Sequence, residues 1–190
     1  MTRAETMRQN VELKVPDPEP ERTLERCREI GAAEVGILDQ RDTYFAVPRD
    51  RLKLREQKPG PSTLIQYKRA DETSARVSNY VLVAIGDPPA LKQALASALG
   101  VTCVIEKERR LFLWEETVRI HLDRVKDLGA FIEIEAVAGK DSNLEREREQ
   151  VERLRSLLSI ESAQLVAGGY SDLLLARQPL GNELAYRNVE

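Results

Sequence analysis

The sequence predicts an α+β fold in which about eight strands close, or nearly close, into an antiparallel barrel with helices packed outside. Three observations predict it. Strand-like segments dominate the chain and are joined mainly by short loops, which favours antiparallel pairing over parallel crossovers. Most of these segments alternate charged and apolar residues with the period of two that splits a strand into two faces. The charged faces are rich in basic residues, although the chain as a whole has a net charge of −3.

Taken in order, the first strand, 9–15, sets Val11, Leu13 and Val15 against Asn10, Glu12 and Lys14. The Pro-rich stretch 16–21 ends it, and a short helix fits 21–31. Strands follow at 37–47 and 51–56, the second setting Leu52 and Leu54 against Arg51, Lys53 and Arg55. After a loop at 57–62, strand 63–69 sets Ile65 and Tyr67 against Gln66 and Lys68. Residues 70–78 read as another loop before a strand at 79–85, a break at 86–89 and a helix at 89–99. The long strand 102–114 puts Lys107 and Arg109 on one face. Strand 117–125 sets Val118, Ile120 and Leu122 against Arg119, His121 and Asp123, and strand 130–138 sets Ile132, Ile134 and Ala136 against Glu133 and Glu135. A helix begins at Ser142, with Glu145 as its capping-box partner and Leu144, Val151, Leu154 and Leu158 on one face. A last helix covers 160–175.

Composition narrows the function. With 190 residues, 42% hydrophobic and 32% charged, the chain reads as a single globular domain, 1–190. It lacks both an apolar run of about 18 residues and a signal-peptide core, so the expectation is a cytoplasmic protein with no membrane contact. Two cysteines, Cys27 and Cys103, and one histidine, His121, exclude a Cys/His zinc site, a haem attachment motif and a disulfide framework. Both cysteines read as small core residues. A pI near 5.5 and few aromatic residues argue against a nucleic-acid partner. The stretch 145–155 alternates charge sign at i,i+4 spacing, the pattern of a solvated helix face, with a helix-mediated homodimer as the other reading. His121 reads as a lumen hydrogen-bonding residue, or as a general base. Asp42, Tyr44 and Phe45 read as strand packing and a loop contact, with a substrate-facing Tyr44 as the other reading.

The charged faces carry the functional argument. Together they combine Lys14, Arg51, Lys53, Arg55, Lys68, Lys107, Arg109 and Arg119 with Glu12, Asp123, Glu133 and Glu135. Any one such face alone reads as solvated surface, but an ordinary exposed sheet intersperses the two signs. If the apolar faces pack outward on helices, the charged faces line the barrel lumen. Buried cations without partners are costly, so the partner is a polyanion. The acidic cluster needs a cation, and oxygen ligands without His or Cys point to Mg2+ or Mn2+. A metal-complexed phosphate chain satisfies both.

These residues resemble the CYTH superfamily of triphosphate tunnel enzymes, which includes class IV adenylyl cyclases, thiamine triphosphatases and inorganic tripolyphosphatases. Asn-Val-Glu-Leu-Lys (10–14) is similar to that superfamily's Glu-x-Glu-x-Lys signature. Gln-Arg-Asp-Thr-Tyr-Phe (40–45), Arg-Leu-Lys-Leu-Arg-Glu (51–56), Leu-Ile-Gln-Tyr-Lys-Arg (64–69), Ser-Asn-Tyr (78–80), Phe-Ile-Glu-Ile-Glu (131–135) and Tyr-Ser-Asp-Leu-Leu (170–174) resemble the class IV cyclase branch in order and spacing. So do Lys107 with Arg109 and Arg119 with Asp123.

The resemblance implies a triphosphate tunnel in which Lys14, Lys53, Arg55, Lys68, Lys107, Arg109 and Arg119 hold phosphate oxygens. Arg76, in the expected loop 70–78, reads as closing over the substrate phosphates from a mobile loop, with a solvated loop arginine as the other reading. The resemblance also implies that Glu12, Asp123, Glu133 and Glu135 hold Mg2+ or Mn2+, with Lys14, Glu12 and Asp123 as the catalytic set. The implied reaction is ATP to cyclic AMP and pyrophosphate. The alternatives are hydrolysis of tripolyphosphate or an organic triphosphate, and a non-catalytic nucleotide- or polyphosphate-binding module. Two departures stand out. Asn10 replaces the first signature glutamate, and the His-Phe pair that precedes the signature in class IV cyclases is absent.

Overall fold

The computed structural model describes residues 7–69, 74–161 and 165–177. Its elements are β1 (Arg8–Pro16), α1 (Pro20–Glu29), β2 (Ala33–Phe45), β3 (Arg51–Lys58), β4 (Ser62–Arg69), β5 (Arg76–Ile85), α2 (Pro88–Leu99), β6 (Val101–Trp114), β7 (Val118–Val125), β8 (Gly129–Val137), α3 (Glu145–Leu157) and α4 (Tyr170–Arg177). The strands form a closed barrel in the order β1-β5-β4-β3-β2-β6-β7-β8, and every pairing is antiparallel. Closure leaves no unpaired sheet edge.

Apolar residues on the outward faces of β1, β6, β7 and β8 meet α1 and α3. Val11, Leu13, Phe112, Val118, Ile120, Ile134 and Ala136 pack there against Cys27 of α1 and Val151 and Leu154 of α3. Burying each large aliphatic side chain contributes about 1.5–3 kcal/mol, so this face fixes which side of β1, β7 and β8 looks inward. Truncating Leu154 to alanine would cost about 2–5 kcal/mol.

A second apolar cluster plugs one end of the barrel. Tyr44, Ile65, Tyr67, Cys103, Ile105, Val125, Leu128 and Phe131 pack with Tyr170, and Leu173 and Leu174 of α4 cover them. The segment 165–177 is fastened over this end by the Val166 N–H donating to the Lys14 carbonyl (2.9 Å) and by Arg177 donating to the Asp127 carbonyl (2.7 Å).

Four expectations change. First, β5 begins at Arg76 instead of 79, because Arg76 pairs with Glu12 of β1; residues 70–73 of the expected loop lie outside the described residues. Second, α3 begins at Glu145. The Ser142 hydroxyl accepts from the Leu144 N–H and donates to Glu147, and Asn143 accepts from the Glu145 N–H, so the expected box does not form. Third, the last helix spans only Tyr170–Arg177. Residues 165–169 are non-helical, and the Gly169 N–H donates to Asp172 (2.6 Å); 162–164 lie outside the described residues. Fourth, β4 presents its Ile65/Tyr67 face inward, not its Lys68 face. Ile65 is the ladder partner of Lys53 and Tyr67 that of Arg51, and ladder partners share a face.

Candidate active site in the barrel lumen

The inward faces of the strands bring two kinds of charge into one cavity of about 150 Å3. Asn10, Glu12 and Lys14 come from β1, Lys53 and Arg55 from β3, Lys107 and Arg109 from β6, Arg119 from β7, and Glu133 and Glu135 from β8. Asp123 and His121 are buried on the same face of β7 as Arg119. The alternation places all of these correctly.

Three ionic groups organise the lumen. In the first, Asp42 of β2 is 1% exposed and gathers the cations of β3 and β6. Its oxygens accept from Arg55 Nε and Nη2 (both 2.7 Å) and from Lys53 Nζ (2.9 Å), with Lys107 Nζ at 3.6 Å. In the second, Arg109 donates to both oxygens of Asp123 (2.7 and 2.6 Å) and to Glu133 (2.7 Å). Lys14 pairs with Glu133 at 2.9 Å and lies 3.5 Å over the Tyr170 ring, and the Tyr170 hydroxyl donates to Asp123 (2.7 Å). In the third, at the closed end, Arg76 donates to Glu12 (3.2 Å) and to the carbonyls of Val166, Ala167 and Gly168. At the other end Arg119, 44% exposed along its side chain, stands 3.7 Å from Glu135. That end is the mouth.

The ionisations follow from this packing. Burial alone would push the Asp42 carboxyl up, but Arg55, Lys53 and Lys107 hold it well below the usual carboxylate range. Glu133 is likewise held down against its burial by Lys14 and Arg109, and Asp123 by Arg109 and Lys107. Burial, then the neighbouring Arg109, pushes the Lys107 ammonium well below its ordinary value, and the same two causes lower His121. Burial and the Asp123 charge push the Tyr170 hydroxyl well up.

Two predicted phosphate contacts lie elsewhere. Lys68 is exposed on the outer face of β4, for the register reason given above. Arg76 is not in a loop: it is buried in β5, holding the segment that closes the barrel end. Lumen residues outside the predicted site include Asp42, Tyr170 and Tyr80. Asp42 had a signal, since it shares a strand face with Gln40 and Tyr44 in a predicted strand. A larger outer groove of about 840 Å3 is lined by both signs, with Glu106 paired to Arg41 (3.0 Å) and to Lys126 (2.8 Å).

A divalent cation fits the donor set. Ligating atoms of His121, Glu133 and Glu135 lie within 4.8 Å of one another. The side-chain oxygen of Asn10, a residue only 4% exposed, lines the same cavity with no hydrogen-bond partner among the described residues. Of the expected metal ligands, Asp123 and Glu12 stand outside this cluster, occupied by Arg109 and Arg76.

A closed eight-stranded antiparallel barrel with helices outside and a lumen lined by opposed cations and carboxylates defines the triphosphate tunnel class of fold. The CYTH domain matches residues 8–170, and the chain belongs to that family. No curated protein matches the chain. Among solved structures, the PH1012 protein of Pyrococcus horikoshii is similar at 23% identity and a TM-score of 0.77, over 86% of this chain and 98% of that one. A candidate adenylate cyclase from Vibrio parahaemolyticus is similar at 21% identity and 0.73, over 87% and 97%. HpAC1 from Hippeastrum, a candidate adenylyl cyclase with a dominant triphosphatase activity, is similar at 16% and 0.60, over 90% and 95%. These likenesses show the fold. Among the described residues no helix is long and apolar enough to cross a membrane.

Proposed function

We propose that the protein binds a nucleoside triphosphate with a divalent cation in the barrel lumen and converts ATP to cyclic AMP and pyrophosphate. The observation that carries this reading is the lumen charge. Lys14, Lys53, Arg55, Lys107, Arg109 and Arg119 converge there and outnumber Asp42, Asp123, Glu133 and Glu135, with Glu12 paired to Arg76. Phosphate oxygens supply the missing negative charge. Ile65, Tyr67, Tyr80 and Leu82 form an apolar wall on the β4–β5 side of the same cavity, a surface suited to a base and of no use to an inorganic chain.

Nucleotidyl transfer asks the protein for alignment and charge neutralisation more than for covalent chemistry. Lys53, Arg55, Lys107 and Arg109 bind the β- and γ-phosphates and stabilise departing pyrophosphate. Each preorganised group of this kind is typically worth roughly 10²–10³ in rate. Asp42 and Asp123 hold these cations in place before substrate arrives. When bound, a divalent cation held by Glu133 and Glu135 supplies Lewis acidity toward the ribose 3′-hydroxyl and the α-phosphate.

The cavity volume favours a second reading. A lumen of about 150 Å3, closed at one end, suits a phosphate chain with the rest of the substrate at the mouth, and hence hydrolysis of tripolyphosphate or an organic triphosphate. Incubation with ATP and with tripolyphosphate, in Mg2+ and in Mn2+, tests both by chromatography and 31P NMR. Cyclic AMP and pyrophosphate in equal amounts is the expected result. Orthophosphate without cyclic AMP selects hydrolysis, and no conversion of either compound overturns both readings.

A further inference from the structure

We infer that the cation of this lumen is bound through nitrogen as well as oxygen. The site is His121, Glu133, Glu135 and Asn10, and it takes a first-row divalent transition ion in preference to Mg2+. The inference deepens the proposed function and rests on its premise that a cation accompanies the triphosphate.

His121 is 3% exposed and faces the lumen from β7, directly across the ladder from Glu133. Its Nδ1 lies 3.2 Å from Glu133 Oε2 and 4.0 Å from Glu135 Oε1, so one ion can reach an atom of each residue. Asn10 is the second, independent observation. It is 4% exposed, it lines the same cavity, and its side-chain oxygen lacks a hydrogen-bond partner among the described residues. A buried carbonyl oxygen left unpaired is costly, and a bound cation is a partner that would satisfy it.

The donor chemistry then selects the ion. Glu133 and Glu135 supply two carboxylates, Asn10 a neutral oxygen and His121 an imidazole nitrogen. Mg2+ demands oxygen and sheds water reluctantly, and it gains nothing from an amide in place of a carboxylate. Imidazole strengthens binding of transition ions, whose affinities for nitrogen-containing sites exceed that of Mg2+. Glu133 now serves Lys14 and Arg109. An incoming phosphate chain takes over those cations and leaves the carboxylate to the ion.

The test uses the untagged full chain with Mn2+ and tripolyphosphate, a substrate free of nitrogen, in a buffer that does not bind metal. His121 is the chain's sole histidine, so imidazole 14N modulation in the pulsed EPR spectrum of bound Mn2+ has one source. The expected result is clear 14N modulation in the wild type and its loss in His121→Gln. Mn2+ affinity falls about tenfold or more in that variant, while Mg2+ affinity stays within about threefold. Glu135→Gln is expected to weaken both ions. Mn2+ bound without 14N modulation, or an unchanged Mn2+ to Mg2+ preference in His121→Gln, overturns the inference. The wild-type spectrum decides even if the variant does not fold. Calorimetry of tripolyphosphate in the presence of Mg2+ separates the two levels: binding with no nitrogen signal from Mn2+ overturns the mixed site alone, and no binding overturns the proposed function beneath it.

Discussion

Asp42→Asn removes one negative charge from the centre of the lumen and leaves Lys53, Arg55 and Lys107 facing one another. At an effective dielectric of about 20, a charge pair at the observed 2.7–2.9 Å has a gross attraction of about 6 kcal/mol. Desolvation offsets most of this, and removing one partner of a buried ionic group costs about 3–5 kcal/mol net. For a chain of this size that corresponds to a fall in Tm of roughly 10 °C. The pH dependence has a definite sign. The folded Asp42 pKa lies below its ordinary 3.8, so its contribution is fully present above that value and is lost as pH falls through the folded pKa. The gap between wild type and variant is therefore constant from about pH 5 to 7 and narrows below about pH 4. Denaturant unfolding at several pH values measures it. Saturating tripolyphosphate is expected to raise the Tm of the variant more than that of the wild type, because phosphate oxygens take the vacated place. A variant within about 1 kcal/mol of wild type at pH 7 would refute the assignment of Asp42 as the counter-charge of the empty cradle.

Other consequences follow from the same geometry. Arg76→Ala strips the cover of its fastening to Glu12 and to the carbonyls of 166–168, so amide exchange in 165–169 should accelerate at least tenfold while β7 and β8 stay protected; uniform acceleration would contradict a local latch. Lys53→Ala should abolish turnover with an unchanged circular dichroism spectrum, whereas Lys68→Ala, on the outer face, should leave turnover within about twofold; equal losses would mean that β4 has been placed with the wrong face inward. Burial raises the Cys27 thiol to about 12 and the Cys103 thiol to about 11. Both should therefore resist a thiol reagent at pH 8 in the native state and react fully in denaturant; rapid native labelling would contradict their burial.

The parts of the fold that were legible in the sequence are those where a strand's two faces differ in kind. In β1, β7 and β8 one face is mostly aliphatic and packs on α1 and α3, so the polar face, with Glu12, Lys14, Arg119, Asp123, Glu133 and Glu135, had to look inward. The same rule fails in β4, where the inward wall is itself apolar and aromatic. Only the register of Lys53 with Ile65 reveals that Lys68 points away. Arg76 follows a polar run that looks like loop, and its partner Glu12 lies 64 positions away, a pairing no local pattern announces. Tyr170 is similar: the hydrogen bond to Asp123 spans 47 positions and depends on where α4 docks. Asp42 was within reach, since alternation through 40–44 puts it beside Gln40 and Tyr44. His121 was read as a lumen hydrogen-bonding residue, and its bond to Glu133 agrees.

The central claim is that this lumen is a cradle for a chain of phosphates. Calorimetric titration of tripolyphosphate, pyrophosphate and orthophosphate into the full chain tests it most directly. The account predicts one saturable site, with affinity rising from orthophosphate to tripolyphosphate and falling at least tenfold in Lys53→Ala and in Arg55→Ala. Absence of saturable binding, or undiminished binding in both variants, would contradict it.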